Sequence, residues 1–248
     1  MKILKWVLIV LIALAILATA GYLYLYNHGL SGKVLEVAPA ADGQIKVACV
    51  GDSITYGHGI NDWEKNNYPV VLQNKLGEGY HVRSFGVSGR AVQDTSDQPY
   101  TALDIYAESK AYDADIVVFM MGSNDAKPEN WHGADAFKSA LNGLLDSYGD
   151  AQIILCTPAT AFFLDGQSTG PAKYDIQPLV VNEIAEIVRG VAAERGYTLI
   201  DIHALTGENP QWFTSDGVHP NNDGAAAIAQ AVCQTIAGTE SAQAVIKG

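Results

Sequence analysis

Ile45-Lys46-Val47-Ala48-Cys49-Val50-Gly51-Asp52-Ser53-Ile54-Thr55-Tyr56-Gly57 is the stretch on which the fold turns. Residues 45–50 form a short apolar run with the composition of a buried strand. The run stops at Gly51, and Ser53 then stands at the strand's carboxyl end, in the turn before a helix. Downstream, short apolar runs alternate with helical periods. Strands are expected at 80–85, 115–121, 152–156 and 197–202. Helices are expected at 68–76 (ended by Gly77), 101–110, 134–147 (ending near Gly149), 178–195 (closed by Gly196) and 222–236. Such β–α alternation predicts a five-stranded parallel sheet covered on both faces. With right-handed crossovers the fold class is α/β, a three-layer α/β/α sandwich over 44–238, with 239–248 as a C-terminal tail. Chemistry in such folds gathers at the carboxyl ends of strands, where the strand order reverses.

Upstream of the fold the pattern changes. Residues 27–43 are rich in Gly, Ala, Ser and Pro without a clear period and read as a linker. Before them, Lys2 and Lys5 precede an uncharged apolar run over 6–26, long enough to cross a hydrocarbon core of about 30 Å. The lysines are expected to keep the N-terminus in the cytoplasm, with the rest of the chain outside. Residues 1–26 read either as a signal anchor, favoured by the interfacial Tyr22, Tyr24 and Tyr26, or as a signal peptide cleaved after Ala20 in Ala18-Thr19-Ala20. Both readings export the domain, as a membrane-anchored or a secreted protein.

The whole sequence has 27 acidic residues against 15 Lys and Arg, a formal net charge of −12, with no basic stripe. Nucleic acid is therefore not an expected partner. The three cysteines lack metal-site spacing, and their odd number argues against a disulfide framework. Cys49, Cys156 and Cys233 read as small buried hydrophobes, with a Cys49–Cys156 bridge open only if their strands are neighbours.

Four fragments carry candidate chemistry. Ser53 supplies a hydroxyl that needs an adjacent base to attack a carbonyl. Asp216-Gly217-Val218-His219 offers that base: a turn can bring the carboxylate to His219 Nδ1–H and leave Nε2 free to accept a proton. Gly122-Ser123-Asn124-Asp125 follows the most apolar strand and presents a side-chain amide. Ser84-Phe85-Gly86-Val87-Ser88-Gly89 ends in a glycine whose N–H can approach a substrate closely. The Ser53 N–H, Gly89 N–H and Asn124 Nδ2 would together form a three-point oxyanion hole. Asp52 and Asp125 read as structural. His28, His58, His81, His132 and His203 have no acid at triad spacing and read as surface or structural residues. The chain has no G-x-S-x-G elbow, H-E-x-x-H motif or Gly-rich phosphate loop.

Together these blocks resemble the SGNH (GDSL-like) hydrolases. The family's GDS(L/I), glycine, GxND and DxxH blocks read here as Gly51-Asp52-Ser53-Ile54, Gly89, Gly122-Ser123-Asn124-Asp125 and Asp216-Gly217-Val218-His219. The resemblance spans about 45–235. It implies a flavodoxin-like sandwich, Ser53 rather than Ser88 or Ser123 as nucleophile, and neither a metal nor an organic cofactor. Many relatives have Asn where Ser84 stands, which leaves the oxyanion assignment untouched.

Residues 122–131, with Lys127-Pro128-Glu129-Asn130-Trp131, together with Gly86-Val87-Ser88-Gly89-Arg90 and Asn67-Tyr68-Pro69, resemble the carbohydrate-active branch described as sialate O-acetylesterase-like or acetylxylan-esterase-like. The expected substrate is an O-acetylated extracellular glycan or small molecule. Trp131 is a candidate for stacking on a sugar ring, or a packing residue. Arg90 is a candidate contact for a polar or anionic substrate, or pairs with a carboxylate. The loop over 157–174, with Phe162 and Phe163, is expected to shape the acyl or leaving-group side. A lysophospholipase or thioesterase, a cell-wall O-acyltransferase and a glycan-binding module on a dead hydrolase scaffold are the alternatives.

Overall fold

The structure, a computed structural model, describes residues 2–164 and 167–247. Among the described residues, five strands form one parallel sheet in the order β2-β1-β3-β4-β5. They are β1 (Ile45–Gly51), β2 (Tyr80–Gly86), β3 (Ile116–Met120), β4 (Gln152–Cys156) and β5 (Thr198–Ile200). The helices are α1 (Lys2–Asn27), α2 (Ser53–Tyr56), α3 (Trp63–Asn66), α4 (Tyr68–Leu76), α5 (Asp104–Ala111), α6 (Ala134–Asp146), α7 (Pro178–Arg195), α8 (Ile202–Gly207) and α9 (Asn222–Lys247).

Strand side chains alternate between two cores, as the two-residue period of a strand requires. Ala48 and Val50 of β1, with Val117 and Phe119 of β3, face Phe137 and Leu141 of α6 and Ile184 and Val188 of α7. Val47 and Cys49, with Val118 and Met120, face Tyr68 and Leu72 of α4 and Ile228 and Val232 of α9. The result is the expected three-layer sandwich.

Several boundaries moved for local reasons. The fifth strand is shorter than expected because Asp201 accepts the Ala204 N–H and caps α8, so Ile202 already belongs to a helix. The helix expected at 101–110 is split into a 3₁₀ turn, Tyr100–Ala102, and α5. Helix α9 continues past the expected end at 236 into the stretch expected as a tail. That stretch contains no proline, and its Glu240, Ala242, Gln243, Ala244 and Lys247 are good helix formers.

Strand order also answers the cysteine question. Cys49 pairs with Val118 and Cys156 with Met120, so β3 lies between β1 and β4. Two strand spacings are roughly 9–10 Å, beyond disulfide reach. Both thiols are buried and free, and burial pushes Cys49 up to about 12.

Ile3–Asn27 is long and apolar enough to cross a membrane, and its most apolar window is not buried in the protein. Its C-terminal end meets the sandwich directly. The Tyr26 ring sits edge-on to Trp63 at 5.8 Å and its hydroxyl donates to Glu64. Irregular backbone follows, fixed where Gly59 N–H donates to His28 O (2.9 Å), Tyr56 Oη to Lys33 O (3.1 Å) and His81 Nε2 to Ala38 O (2.7 Å).

The crossing from β1 into α2 depends on two glycines. A Cβ on Gly51 would lie 1.9 Å from Thr55 Oγ1 and 2.6 Å from Met120 O; one on Gly86 would lie 2.3 Å from the Tyr56 N. Both contacts press on backbone or on the short helix that presents Ser53. Gly86→Ala is therefore expected to destabilise the fold by about 2–4 kcal/mol, since the buried site cannot yield. Urea unfolding checks this; a loss below about 0.5 kcal/mol would show that the turn has room to shift.

Candidate active site

The chain runs from β1 outward to β2 and then back across β1 to β3, so the sheet's switch in strand order lies between β1 and β3. Ser53 follows β1 and Asn124 follows β3, which puts both at the crevice where such folds bind ligands. Asp52 holds the first turn of α2 by accepting the Ile54 N–H at 2.9 Å. That cap places the Ser53 hydroxyl at the helix start. Burial pushes the Asp52 carboxyl up to about 6.

The acid–base pair comes from the loop before α9. Asp216 Oδ1 accepts the N–H groups of Val218 and His219 at 2.8 and 2.9 Å, closing a tight turn. Gly217 sits in that turn at φ 72°, and a Cβ there would lie 2.5 Å from Phe162 O. Asp216 Oδ2 accepts from His219 Nδ1 at 2.7 Å. On the far side of the ring, His219 Nε2 lies 2.9 Å from Ser53 Oγ. Burial alone would raise the Asp216 carboxyl. The His219 ring hydrogen bond and charge, with the two backbone donors, outweigh burial and hold it well below the usual carboxylate range. An ionised Asp216 selects the Nδ1–H tautomer and leaves Nε2 as the acceptor for the serine proton.

A cavity of about 310 Å³ opens over these groups, lined by Ser53, His219, Gly89, Asn124, His58 and Tyr174, with Ser88, Gln98, Lys127 and Ile176 around them. Gly89 occupies the left-handed region at φ 80°. Asn124 is buried and donates one amide hydrogen to Arg90 O at 3.0 Å, leaving the second for an acceptor in the cavity. Asp125 is fully buried and accepts from the backbone N–H groups of Val92 and Gln93. Asn130 ties the same loop down through Asp97 and the Asn124 carbonyl. Asp125 and Asn130 thus hold the glycine loop against the Asn124 turn, so both would-be donors face one space. Burial pushes the Asp125 carboxyl up to about 6 despite those backbone donors.

Five of the residues expected at the site, Ser53, Gly89, Asn124, Asp216 and His219, come together. Two others do not join them. The Trp131 ring packs 6.2 Å from Phe137 against the core under α6, outside the cavity lining. Arg90 contributes its carbonyl, while its buried Nε has no partner and its side chain does not line the cavity. Phe162, expected to shape the pocket, instead meets Phe213 edge-on at 4.9 Å and backs the Asp216 turn through Phe162 N–H to Gly217 O. Residues 165–166 of that loop lie outside the described residues.

His58, expected as a surface or structural residue, lines the cavity beside His219. Its ring lies 4.3 Å from that of His219. Burial first, and the neighbouring His219 second, push it down to about 4, so it is neutral near pH 7. One local signal was present: His58 N–H bonds to the Ser53 carbonyl, within a single turn of chain. Tyr174 had no comparable signal.

Comparison with known proteins fits this geometry. The GDSL-like Lipase/Acylhydrolase family model matches residues 49–227. An acetylxylan esterase of Xylanibacter ruminicola is 34% identical over 227 residues, covering 83% of this chain and 46% of the relative. The chain thus spans about half the length of the curated relative it matches. Among solved structures, a carbohydrate acetylesterase from Sinorhizobium meliloti superposes with TM-score 0.63 at 15% identity, over 79% of this chain and 100% of that one. A lipase/acylhydrolase from Enterococcus faecalis does so with TM-score 0.62 at 20% identity, over 79% and 97%. These two share the fold. With the family model matching most of the sandwich and its blocks meeting at one cavity, the chain belongs to the GDSL-like lipase/acylhydrolase family.

Proposed function

We propose that this protein is a serine esterase that removes short acyl groups, acetyl above all, from the hydroxyls of carbohydrate. The supporting observation is the unbroken chain from Ser53 Oγ through both nitrogens of His219 to Asp216, at 2.9 and 2.7 Å. The acetyl preference rests on likeness to the acetylxylan esterase and on the modest size of the cavity.

In this reading Ser53 Oγ attacks the ester carbonyl while His219 Nε2 takes its proton. The carbonyl oxygen becomes an oxyanion held by Ser53 N–H, Gly89 N–H and Asn124 Nδ2. Collapse of the tetrahedral adduct breaks the bond to the alcohol oxygen, which receives the proton from His219. Water then enters, gives a proton to His219 and attacks the acyl-serine; the second collapse returns that proton to Ser53 and frees the acid. Asp216 stays ionised throughout and stabilises the imidazolium by its fixed charge.

Helix α1 fits a membrane anchor with the lysine end in the cytoplasm and the sandwich outside. Export would bring the site to extracellular glycan.

Acetate release from acetylated xylan and pectin fragments, run beside an ester series of increasing acyl length, tests the proposal. Turnover is expected to be greatest for acetyl and to fall at least about tenfold by octanoyl, as a 310 Å³ cavity shared with the alcohol fills. Equal or better turnover of lysophospholipid or long acyl thioesters would replace it with the lipase or thioesterase reading. Acyl transfer to a sugar hydroxyl in preference to water would make the protein an acyltransferase.

A further inference from the structure

We infer that Tyr174, with His58 beneath it, is the surface on which the sugar of the departing alcohol stacks, the role first expected of Trp131. This rests on the esterase reading. It begins from where the alcohol must lie. The leaving oxygen takes its proton from His219 Nε2, so the ring bearing that oxygen has to rest against whatever flanks His219. The flanking groups are His58, whose ring is 4.3 Å from that of His219, and Tyr174, whose ring meets it edge-on at 5.5 Å. Tyr174 also meets the His58 ring edge-on, at 6.2 Å and 88°. Both residues line the cavity.

Tyr174 is built into this place at a cost. It lies at φ 63°, ψ 27°, and Asp175 follows at φ 59°, two consecutive non-glycine residues in the left-handed region. A non-glycine residue is disfavoured in that region and persists there only where surrounding bonds enforce it. Those bonds are present. Ala172 N–H donates to Ile176 O at 2.8 Å and closes the loop; Lys173 N–H donates to Asp216 O at 3.1 Å; Gln177 N–H donates to Ala126 O at 3.0 Å. The loop is therefore clamped on one side to the acid of the acid–base pair and on the other to the turn that carries Asn124. The strain is not spent on filling the core, because Tyr174 stays 46% exposed. An exposed aromatic ring on a clamped backbone beside the leaving-group position suits the apolar C–H face of a pyranose, and its hydroxyl suits the rim of hydroxyls. His58, kept neutral, adds a second apolar face without placing a charge against the imidazolium that forms on His219.

The test compares Tyr174→Asn, Tyr174→Phe and Trp131→Ala on an acetylated xylo-oligosaccharide and on ethyl acetate, whose alcohol has no ring. Asn tolerates the left-handed backbone, so Tyr174→Asn removes the ring without adding strain. It is expected to raise KM for the oligosaccharide about tenfold with kcat within about twofold, and to leave KM for ethyl acetate unchanged. Tyr174→Phe should restore most of the oligosaccharide KM, and Trp131→Ala should leave it unchanged. Equal losses on both substrates would show that Tyr174 acts through His219, and no loss on either would show that the sugar lies elsewhere; each result overturns the inference while leaving the esterase intact. A wild-type protein inert toward both substrates would instead remove the esterase reading itself.

Discussion

Ser53→Ala is expected to lower acetate release by at least about 10³-fold while leaving the fold intact. The side chain is buried and its hydroxyl meets His219 Nε2 at 2.9 Å. Alanine removes that oxygen and nothing else: α2 keeps its cap from Asp52, and the Ser53 N–H, a backbone group, remains available to the proposed oxyanion hole. With the hole and the base still in place, residual turnover is expected to stay above the uncatalysed rate, as it does when a triad nucleophile alone is removed. A fluorophosphonate gives a second readout. The intact chain should gain one phosphonyl group and the variant none, with urea midpoints that agree within experimental error. Undiminished turnover would move the nucleophile to another hydroxyl of the cavity, Ser88 first. A wild type that binds acetylated glycan without releasing acetate, and binds it equally well as Ser53→Ala, would make the protein a binding module.

Asp216→Asn is the second large effect. The carboxylate does two jobs at once: Oδ2 fixes the His219 tautomer, and Oδ1 closes the turn through Val218 and His219 N–H. An asparagine oxygen can keep one of these bonds, but it carries no charge to stabilise the imidazolium and can present an N–H that favours the wrong tautomer. A fall in kcat of about 10²–10⁴-fold is expected, with KM little changed. The pH dependence follows from the direction of the shift. A carboxyl held below its unfolded value contributes stability that is fully present above the unfolded pKa, near 4, and is lost as pH falls through the folded one. Asp216 thus stays ionised down to pH 4, so the ratio of wild-type to Asp216→Asn turnover should not fall off through protonation of this carboxyl between pH 4 and 8. Thermal unfolding of wild type and variant should converge as pH drops below 4. An acid-side ionisation above pH 4 that is present in wild type and vanishes in Asp216→Asn would show that the carboxyl is not held down.

Short-range patterns made much of this molecule legible from its residues alone. The apolar runs that became β1, β3 and β4 are read within a few residues, because a strand buried on both faces needs continuous apolar side chains; β2, an edge strand carrying His81, Arg83 and Ser84, is read from its alternation instead. Asp216 and His219 were legible as a pair because three residues of separation suffice to close their turn. Ser53, Gly89 and Asn124 were legible because each ends or follows a strand, and parallel sheets send those ends to one rim.

What remained hidden depended on distance along the chain. Ser53 and His219 are 166 residues apart, and their meeting is a property of the strand order and of α9 packing against α4 and β5. The same order placed β3 between Cys49 and Cys156, which no spacing could reveal. Trp131 had the right chemistry in a promising block, yet a large ring beside Phe137 gains more from the core than from water. Tyr174 reached the site on a strained loop whose clamps come from Asp216 and Ala126. Local periodicity therefore determined the layers, and short motifs with the family resemblance they carry named the candidate reacting groups. Only tertiary packing decided which side chains surround them, because burial and hydrogen bonding between remote segments are settled when the layers close.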